Sequence, residues 1–284
     1  MTFWLVQTFN GLSFAMLLFL LAAGLSITYG LMGILNLAHG SYYLLGAYLG
    51  LTVIKNTNNF LLAILCSVAA VAVLGIVMQR FFLRRFYKNQ LAQVLLTFGF
   101  LFIIADVGVW IWGGNPQVLP KPSLFEGSYR FGSFVVPSYR VFVIGLGLLV
   151  ALGLWLFQEK TSIGALIRAG VDDEEMTRGL GINTPFLFTV VFGVGAALAA
   201  LAGVIGGPFV GVYPGADFEI LVYALVVIII GGVGSLKGAF VGSLLVGLLD
   251  NFGKALFPEF ALFTMFAAMT LVLVVRPAGL FGKE

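Results

Sequence analysis

Long, uninterrupted stretches of apolar residues dominate the chain, and short polar segments separate them. An α-helix rises about 1.5 Å per residue, so about 20 apolar residues cross a hydrocarbon core of about 30 Å. The stretches are too continuous for the short alternating strands of a membrane β-barrel. The pattern therefore predicts an all-α, polytopic bundle of about eight to nine transmembrane helices. The predicted helices are 11–34, 40–54, 60–79, 91–112, 141–157, 185–206, 220–235, 239–253 and 261–275.

The amino-acid composition excludes the main soluble classes. Of the 284 residues, 61% are apolar and 10% are charged, whereas an average globular protein carries about 25% charged residues. A soluble fold of this composition would expose far too much apolar surface to water. This excludes a soluble enzyme, a nucleic-acid-binding module and a disordered chain, and we expect one transmembrane domain over 1–284. Cys66, the one cysteine in the sequence, lies in an apolar stretch and is expected to be a buried core residue.

The distribution of Lys and Arg predicts the orientation in the membrane. If residues 80–90 are cytoplasmic, ten of the 15 basic residues lie inside and five outside, as the positive-inside rule requires. The N-terminus is then outside, the C-terminus inside, 113–140 a periplasmic loop and 159–184 a cytoplasmic loop. The basic cluster RFFLRR at 80–85 fixes this orientation, and a lipid-headgroup site is the alternative use of its charges. No Lys or Arg precedes Lys55, so we expect no cleaved signal peptide.

Two polar breaks that contain glycine interrupt the apolar sequence, NLAHG at 36–40 and GGVGSLKG at 231–238. Unpaired backbone groups are costly in lipid, so such breaks persist only where they are packed in protein or line a wet cavity. Aligned on their last glycine, both place a polar or ionisable residue before it, which predicts an internal repeat of the kind found in transporters. His39, the sole histidine, either satisfies a backbone carbonyl or lines a translocation path.

The predicted cytoplasmic loop 159–184 carries five acids and three bases in 26 residues, so it suits water or a soluble partner. We expect Thr161 or Ser162 to cap a short helix over 163–169. Asp172 is expected to cap a second short helix that follows this one.

Glu175 completes a capping-box spacing with Asp172 in this second helix, and Arg178 lies in its last turn. The glycines that follow permit a left-handed stop, and Thr184-Pro185 opens the next span with a cap and a proline. One apolar stripe of the loop either packs on the chain's own spans and the membrane surface or docks another protein. Its members are Ile163, Leu166, Ile167 and Val171.

Four acidic residues elsewhere are candidates for function. Asp106 and Asp250 lie near the outer ends of predicted spans, where each could cap a helix, pair with a cation, face water or act as an intramembrane carboxylate. Asp217 and Glu219 lie in the outer segment GPFVGVYPGADFE, where they form either a solvated face with a helix cap or a contact for a partner protein.

Three separated segments resemble a known family. They are ITYGLMGILNLAHGSYYLLGAYLG at 27–50, TSIGALIRAGVDDEEMTRGLGIN at 161–183, and the tail from GGVGSLKGAFVGSLLVGL to RPAGLFG. They are similar to the inner-membrane permeases of branched-chain amino acid ABC importers, the LivH/LivM family, and the tail favours the LivH side. The resemblance implies a bacterial inner-membrane permease with broken helices and a cytoplasmic coupling-helix loop.

The resemblance also implies the partners and the site residues. The partners would be a second permease, LivM-like or identical, two cytoplasmic ATPase subunits and a periplasmic substrate-binding protein. The substrates would be branched-chain amino acids, with urea, amides and aromatic acids as alternatives. The implied ATPase-coupling residues are Gly164, Arg168, Ala169, Asp172, Glu175, Arg178, Gly181, Ile182 and Asn183. The residues expected along the translocation path are Asn36, His39, Gly40, Gly234, Ser235 and Lys237, and Asp217 and Glu219 are expected to contact the binding protein.

The sequence contains no motif for ATP hydrolysis. A phosphate-binding loop ends in Gly-Lys-Ser/Thr, whereas the lysine of GGVGSLKG at 231–238 is followed by glycine. We therefore expect ATP and magnesium on the partner ATPases, and no catalytic residue, cofactor, metal or nucleic acid on this chain. Two other classes stay open: a secondary transporter with Asp106 or Asp250 as its relay, and a lipid or prenyl enzyme with magnesium diphosphate at 172–175. Such an enzyme needs a second aspartate-rich motif, which this sequence lacks.

Overall fold

The computed structural model describes residues 2–87, 89–131 and 134–282, which fold mainly into helices. A π-helical turn, Met78–Phe82, and a 3-10 turn, Leu83–Phe86, continue the third helix, Phe60–Val77, and a short hairpin pairs β1 (Ser128–Phe131) with β2 (Phe134–Pro137). The helices are α1 Thr2–Met32, α2 His39–Thr57, α3 Phe60–Val77, α4 Gln90–Trp112, α5 Ser138–Lys160, α6 Ser162–Asp172, α7 Glu174–Gly179, α8 Thr184–Val210, α9 Ala216–Gly231, α10 Leu236–Leu256 and α11 Ala261–Val275.

The architecture is that of a multi-pass membrane protein. Each of the nine predicted segments overlaps a helix. Six helices in the described ranges are long and apolar enough to cross a membrane, namely α1, α3 with its two turns, α4, α5, α8 and α10. By contrast, α2 is less apolar, and α9 and α11 have only 16 and 15 residues. The predicted count of eight to nine spans is therefore not confirmed.

Two central helices, α1 and α8, form the core of the bundle. In their apolar windows 83% and 72% of the residues are buried, against 17% for α4 and 11% for α5. Lipid provides no hydrophobic drive between helices, so close packing depends on small residues. A Cβ atom on Gly24 would lie 2.7 Å from the Gly195 carbonyl oxygen, and one on Gly46 would lie 2.5 Å from the Ala200 Cα. These glycines let α1, α2 and α8 approach backbone to backbone.

The polar residues of the first break, Asn36 and His39, are buried in protein. After α1 the chain turns at Gly33, whose φ is +65°. The Asn36 side-chain oxygen accepts from the Ala38 N–H at 3.1 Å. The His39 ring, at the start of α2, places Nε2 3.0 Å from the Leu21 carbonyl oxygen. Because Leu21 lies well inside α1, α2 begins beside the body of that helix.

A later part of the chain forms hydrogen bonds to the helix end that precedes the second break. After α9 the backbone has positive φ at Gly232 and Gly234, and α10 then begins. The Leu280 N–H donates to the Ile230 carbonyl and the Phe281 N–H to the Gly231 carbonyl, each at 2.9 Å. The last carbonyls of a helix lack partners within the helix. The segment 276–282 therefore satisfies the end of α9.

The two predicted loops lie at opposite ends of α5, whose 23 residues span about 35 Å. We call the end that carries α6 and α7 the α6 end, and the end that carries the β1–β2 hairpin the hairpin end. At the hairpin end the Lys55 ammonium donates to the Gln117 side chain at 2.7 Å. Gln117 also forms an antiparallel bridge with Val212.

The caps of α6 and α7 refine the predicted loop. Thr161 caps α6 as expected, since its hydroxyl accepts from the Gly164 N–H at 3.0 Å. The predicted cap of α7 at Asp172 is wrong by one residue, because Asp172 still belongs to α6 and Asp173 has the extended backbone of a cap. The Asp173 carboxylate accepts from the Met176 N–H at 2.9 Å, so Glu175 does not occupy the capping-box position. The side chain of Asp172 lies outside the described part.

Two further expectations are corrected. The cap of α8 is Asn183, whose side chain accepts from the Phe186 N–H at 3.1 Å, so Thr184 is already helical. Cys66 is exposed on α3, whereas the sequence predicted burial. An apolar stretch in a membrane protein faces lipid as readily as the core, which explains the error.

Candidate functional site

A cavity of about 920 Å³ opens at the α6 end, between the ends of α1 and α5, the helix α6 and the start of α10. Its polar lining residues are Tyr29, Gln158, Glu159, Arg168, Ser235 and Lys237. Its apolar walls include Phe19, Leu148, Leu152, Trp155, Ile167, Leu236 and Phe240. Apolar walls with a few convergent polar groups are typical of sites for small molecules.

The end of α1 and the second break meet at this cavity. A Cβ atom on Gly30 would lie 3.1 Å from the Gly234 Cα, so the two backbones are in direct contact. Ser235 caps α10, since its hydroxyl accepts from the Gly238 N–H at 3.0 Å. Three residues predicted for the translocation path, Gly234, Ser235 and Lys237, therefore line one cavity.

The predicted path residues of the first break lie elsewhere. Asn36 and His39 are 1% and 0% exposed and do not line the cavity. The His39 ring contacts a backbone group, the Leu21 carbonyl. Gly40 has no room for a side chain, because a Cβ atom there would collide with the Asp217 carbonyl. The first break is thus a closed packing joint between α1, α2 and α9.

Arg168 on α6 connects the cavity to the predicted coupling loop. Its Nη1 is buried and has no hydrogen-bond partner among the described residues. The neighbouring Ile167 is 8% exposed and packs with Leu31 and Leu187. A Cβ atom on Gly164 would collide with the Phe157 and Gln158 carbonyls. Part of the α6 stripe thus packs on the chain's own spans, and α6 is in contact with α1, α5 and α8.

The other predicted coupling residues form a mixed surface around α7. Ala169, Glu175, Gly181 and Asn183 are exposed. Gly181 has a φ of +83°, as a left-handed stop requires.

A second cavity, of about 490 Å³, lies beside α7. Arg178 and Ile182 line it together with Arg84 of the basic cluster. Arg178 lies 5.7 Å from the centre of the Tyr87 ring. The basic cluster and the coupling loop therefore lie at the same end of the bundle, where the charge pattern predicted both.

The two acidic residues near the start of α9 differ in burial. Asp217 is 2% exposed and accepts from the Ser41 hydroxyl at 3.2 Å. Glu219 is exposed and accepts from the Tyr213 hydroxyl at 2.6 Å. Burial, together with the hydrogen bond to Glu219, raises the pKa of Tyr213 to about 12. Only Glu219 offers an exposed carboxylate for the predicted contact with a binding protein.

Asp250 forms an ion pair, one of the roles that its position allowed. Its carboxylate lies 2.8 Å from the Lys254 ammonium and accepts from the Tyr223 hydroxyl at 2.8 Å. Asp106 is exposed on α4. Within the described ranges, no group of three or more His, Cys, Asp or Glu residues could hold a metal ion.

Sequence reasoning missed the α5 wall of the large cavity. Leu148, Leu152, Trp155 and Glu159 line it, and their spacing of three to four residues places them on one helical face. That spacing was visible in the sequence. The other faces of α5 are equally apolar, however, so the sequence did not distinguish the face that lines the cavity from the rest of the helix. Glu159 could have indicated the cavity-lining face, because it is an acidic residue just after the end of the predicted span 141–157.

The chain is similar to known membrane permeases over almost its whole length. The family described as branched-chain amino acid transport system / permease component matches residues 7–275. The permease protein BraD of the high-affinity branched-chain amino acid transport system of Pseudomonas aeruginosa is 30% identical over 99% of this chain and 96% of its own. The permease protein LivH of Escherichia coli K12 has the same identity and coverage.

Two more distant proteins are also similar to this chain. The permease protein LivM of Salmonella typhimurium is 28% identical over 93% of this chain and 68% of its own length. A chain in the structure of PsaBC from Streptococcus pneumoniae in complex with Fab is 17% identical and has a TM-score of 0.53, covering 96% of this chain and 92% of that one. The likeness to this structure concerns the fold alone.

Proposed function

Since this chain belongs to the family of branched-chain amino acid transport permease components, we propose that it is a permease subunit of an ABC importer. Its substrates are branched-chain amino acids or a related amino acid or amide. A second permease, LivM-like or identical, completes the pathway across the bacterial inner membrane. The N-terminus lies outside and the C-terminus inside, so the α6 end faces the cytoplasm.

The large cavity is the observation that carries this proposal. Its walls are apolar, which suits an aliphatic side chain, and both signs of charge are present at Glu159, Arg168 and Lys237. An amino acid carries an ammonium and a carboxylate that these groups complement. The volume of about 920 Å³ exceeds the needs of such a substrate, so binding is loose. Loose binding favours release, which a conduit requires.

The energy enters through α6 and α7 from two separate ATPase subunits, which hold the ATP and magnesium. The chain itself then has no catalytic role and no cofactor. The exposed residues Ala169, Glu175, Gly181 and Asn183 offer the docking surface. Ile167 and Gly164 pack α6 against three spans, α1, α5 and α8. The loop therefore moves together with these three spans.

The periplasmic binding protein docks at the hairpin end, where Glu219 is exposed. Ion-coupled secondary transport is disfavoured as an alternative for Asp250, because its carboxylate is already occupied by Lys254 and Tyr223.

The test uses Arg168→Glu in a complex reconstituted with the ATPases, the second permease and the binding protein. We expect ATP-coupled leucine uptake to fall at least about tenfold, because a reversed charge between cavity and loop disturbs both. Lys160→Glu is the matched control, since Lys160 is exposed at the same end and does not line the cavity. Normal uptake by the Arg168→Glu complex, or uptake that persists without ATPase subunits, would contradict the proposal.

A further inference from the structure

A lysine side chain is held between two aromatic rings and a carboxylate, in the half of the bundle nearer the hairpin end. The Lys254 ammonium lies 5.8 Å from the centre of the Phe14 ring and 5.5 Å from that of the Tyr223 ring. It also lies 2.8 Å from the Asp250 carboxylate and donates to the Tyr223 hydroxyl at 3.3 Å. The proposed transport through the large cavity uses none of these four side chains.

We call Phe14, Tyr223 and Asp250, which surround this lysine, the ammonium cage. They come from three different helices, α1, α9 and α10. The Phe14 and Tyr223 rings pack edge to face, with their centres 5.4 Å apart. The Tyr223 hydroxyl donates to the Asp250 carboxylate at 2.8 Å, and both residues are buried. These contacts hold the cage together independently of Lys254.

The chemistry of the cage suits ammonium groups in general. The faces of aromatic rings carry negative partial charge and attract cations, most strongly where water is excluded. A carboxylate adds a charge-assisted hydrogen bond to an ammonium, which a neutral group of the same shape cannot form as strongly. The cage therefore recognises a primary alkylammonium, and Lys254 is the one that the chain itself supplies.

Lys254 is a replaceable occupant. Its side chain is 53% exposed, against 5% for that of Asp250. The two residues are one helical turn apart, and exposed ion pairs of this spacing contribute little to stability. The long, flexible stem of a lysine lets its ammonium turn into water. A buried carboxylate left without a cation is costly, however, so the lysine leaves readily only when another ammonium enters.

We propose that the ammonium cage is an entry site for the ammonium group of the transported amino acid, and that the substrate replaces Lys254 there. The identity of this ligand rests on the proposed function, in which the substrate is an amino acid. The exchange conserves charge, because one ammonium takes the place of another beside Asp250. Leu236 lines the large cavity, and Asp250 lies 14 residues, or about 21 Å, farther along α10. The cage is thus a second site, nearer the proposed outer side.

Thermal unfolding of the purified full chain in mild detergent, titrated with isopentylamine, tests this proposal. This amine has the side chain and the ammonium of leucine but no carboxylate. A ligand that binds the folded state raises the unfolding temperature, so the titration gives its Kd. We expect a Kd at least about tenfold lower for Lys254→Ala than for the unsubstituted chain, because the variant leaves the cage open. Adding Asp250→Asn to Lys254→Ala should abolish this gain.

Lys55→Ala is the matched control, because Lys55 is exposed at the hairpin end and its ammonium donates to Gln117 instead of the cage. If Lys254→Ala does not fold, Lys254→Gln takes its place, since it removes the charge and keeps a donor for Asp250. Equal Kd values for the unsubstituted chain and the Lys254 variant overturn the proposal. Equal stabilisation by isopentanol, which has no ammonium, also overturns it.

Leucine should show the same preference for the Lys254 variant as the amine does. A preference shown by the amine alone assigns the cage to a lysine of a partner protein and overturns its place on the substrate path. None of these measurements requires transport or the other subunits. A failure of the cage is therefore separable from a failure of the proposed function, which the uptake assay with Arg168→Glu detects.

Discussion

The two breaks share a sequence pattern, a polar residue followed by glycine, but the structure uses them differently. The first is sealed, with Asn36 and His39 almost fully buried and His39 bonded to the Leu21 carbonyl. The second opens onto the large cavity and leaves Lys237 exposed. These are the two ways in which irregular backbone survives inside a membrane protein. A polar break in the sequence therefore predicts an interruption of the helix. Only the packing around the break shows whether it is buried between helices or lines a cavity.

The largest expected effect tests whether the first break is a joint. Gly40→Leu would force a side chain into the Asp217 carbonyl, and backbone on both sides cannot yield easily. We expect a loss of at least about 3 kcal/mol in the free energy of unfolding, beyond ordinary overpacking. Gly99→Leu is the control, because a Cβ atom there has nothing within 4 Å. Equal thermal unfolding of the two variants in detergent would show that the joint is not tight.

A smaller loss is expected from His39→Leu. The substitution removes the ring nitrogen at the Leu21 carbonyl. This carbonyl lies in the middle of α1 and keeps its helical hydrogen bond, so the expected loss is that of one hydrogen bond, about 0.5–1.5 kcal/mol. If the first break is only structural, uptake per folded molecule stays within about twofold of the unsubstituted protein. A strong loss of uptake with unchanged thermal stability would instead place His39 on the path.

Ser235→Ala tests how firmly the second break is anchored. Its hydroxyl accepts from the Gly238 N–H, and loss of such a cap costs about 1 kcal/mol. Ser162→Ala is a suitable control, since Ser162 is exposed and is not the cap of α6. Thermal unfolding is again the measurement, and identical values for both variants would contradict the assigned cap.

Lys237→Gln is expected to have the smallest effect on stability and a clear effect on transport. The side chain is exposed in the cavity, so its loss changes the free energy of unfolding by less than about 0.5 kcal/mol. If Lys237 contacts the substrate as the proposed function requires, leucine uptake by the assembled complex should fall about three- to tenfold, because one charged hydrogen bond is lost. Unchanged uptake would remove Lys237 from the path.

The sequence predicted the helices and their caps better than it predicted the contacts between helices. All nine apolar segments overlap helices, and the caps of α6, α7 and α8 lie within one residue of the expected positions. These features depend on local chemistry, which is readable along the chain. The contact between Gly30 and Gly234 could not be read, because it joins residues more than 200 positions apart.

Burial was harder to predict for a different physical reason. Most spans are apolar on all sides, because lipid and protein core favour the same side chains. Nothing in the sequence therefore separates exposed Cys66 from buried residues nearby, or buried Asp217 from exposed Glu219. The helix α6 is the exception, since water faces one of its sides, and the burial of Ile167 was anticipated by its stripe.

The hydrogen bonds from Leu280 and Phe281 to the end of α9 have a consequence for the order of synthesis. The Ile230 and Gly231 carbonyls leave the ribosome about 50 residues before their partners do. At a bacterial or eukaryotic translation rate of roughly 5–20 residues per second, this delay is about 2.5–10 s. During that interval both carbonyls lack the partners that they have in the folded chain. The wall of the large cavity is consequently among the last parts of the nascent protein to reach its final structure.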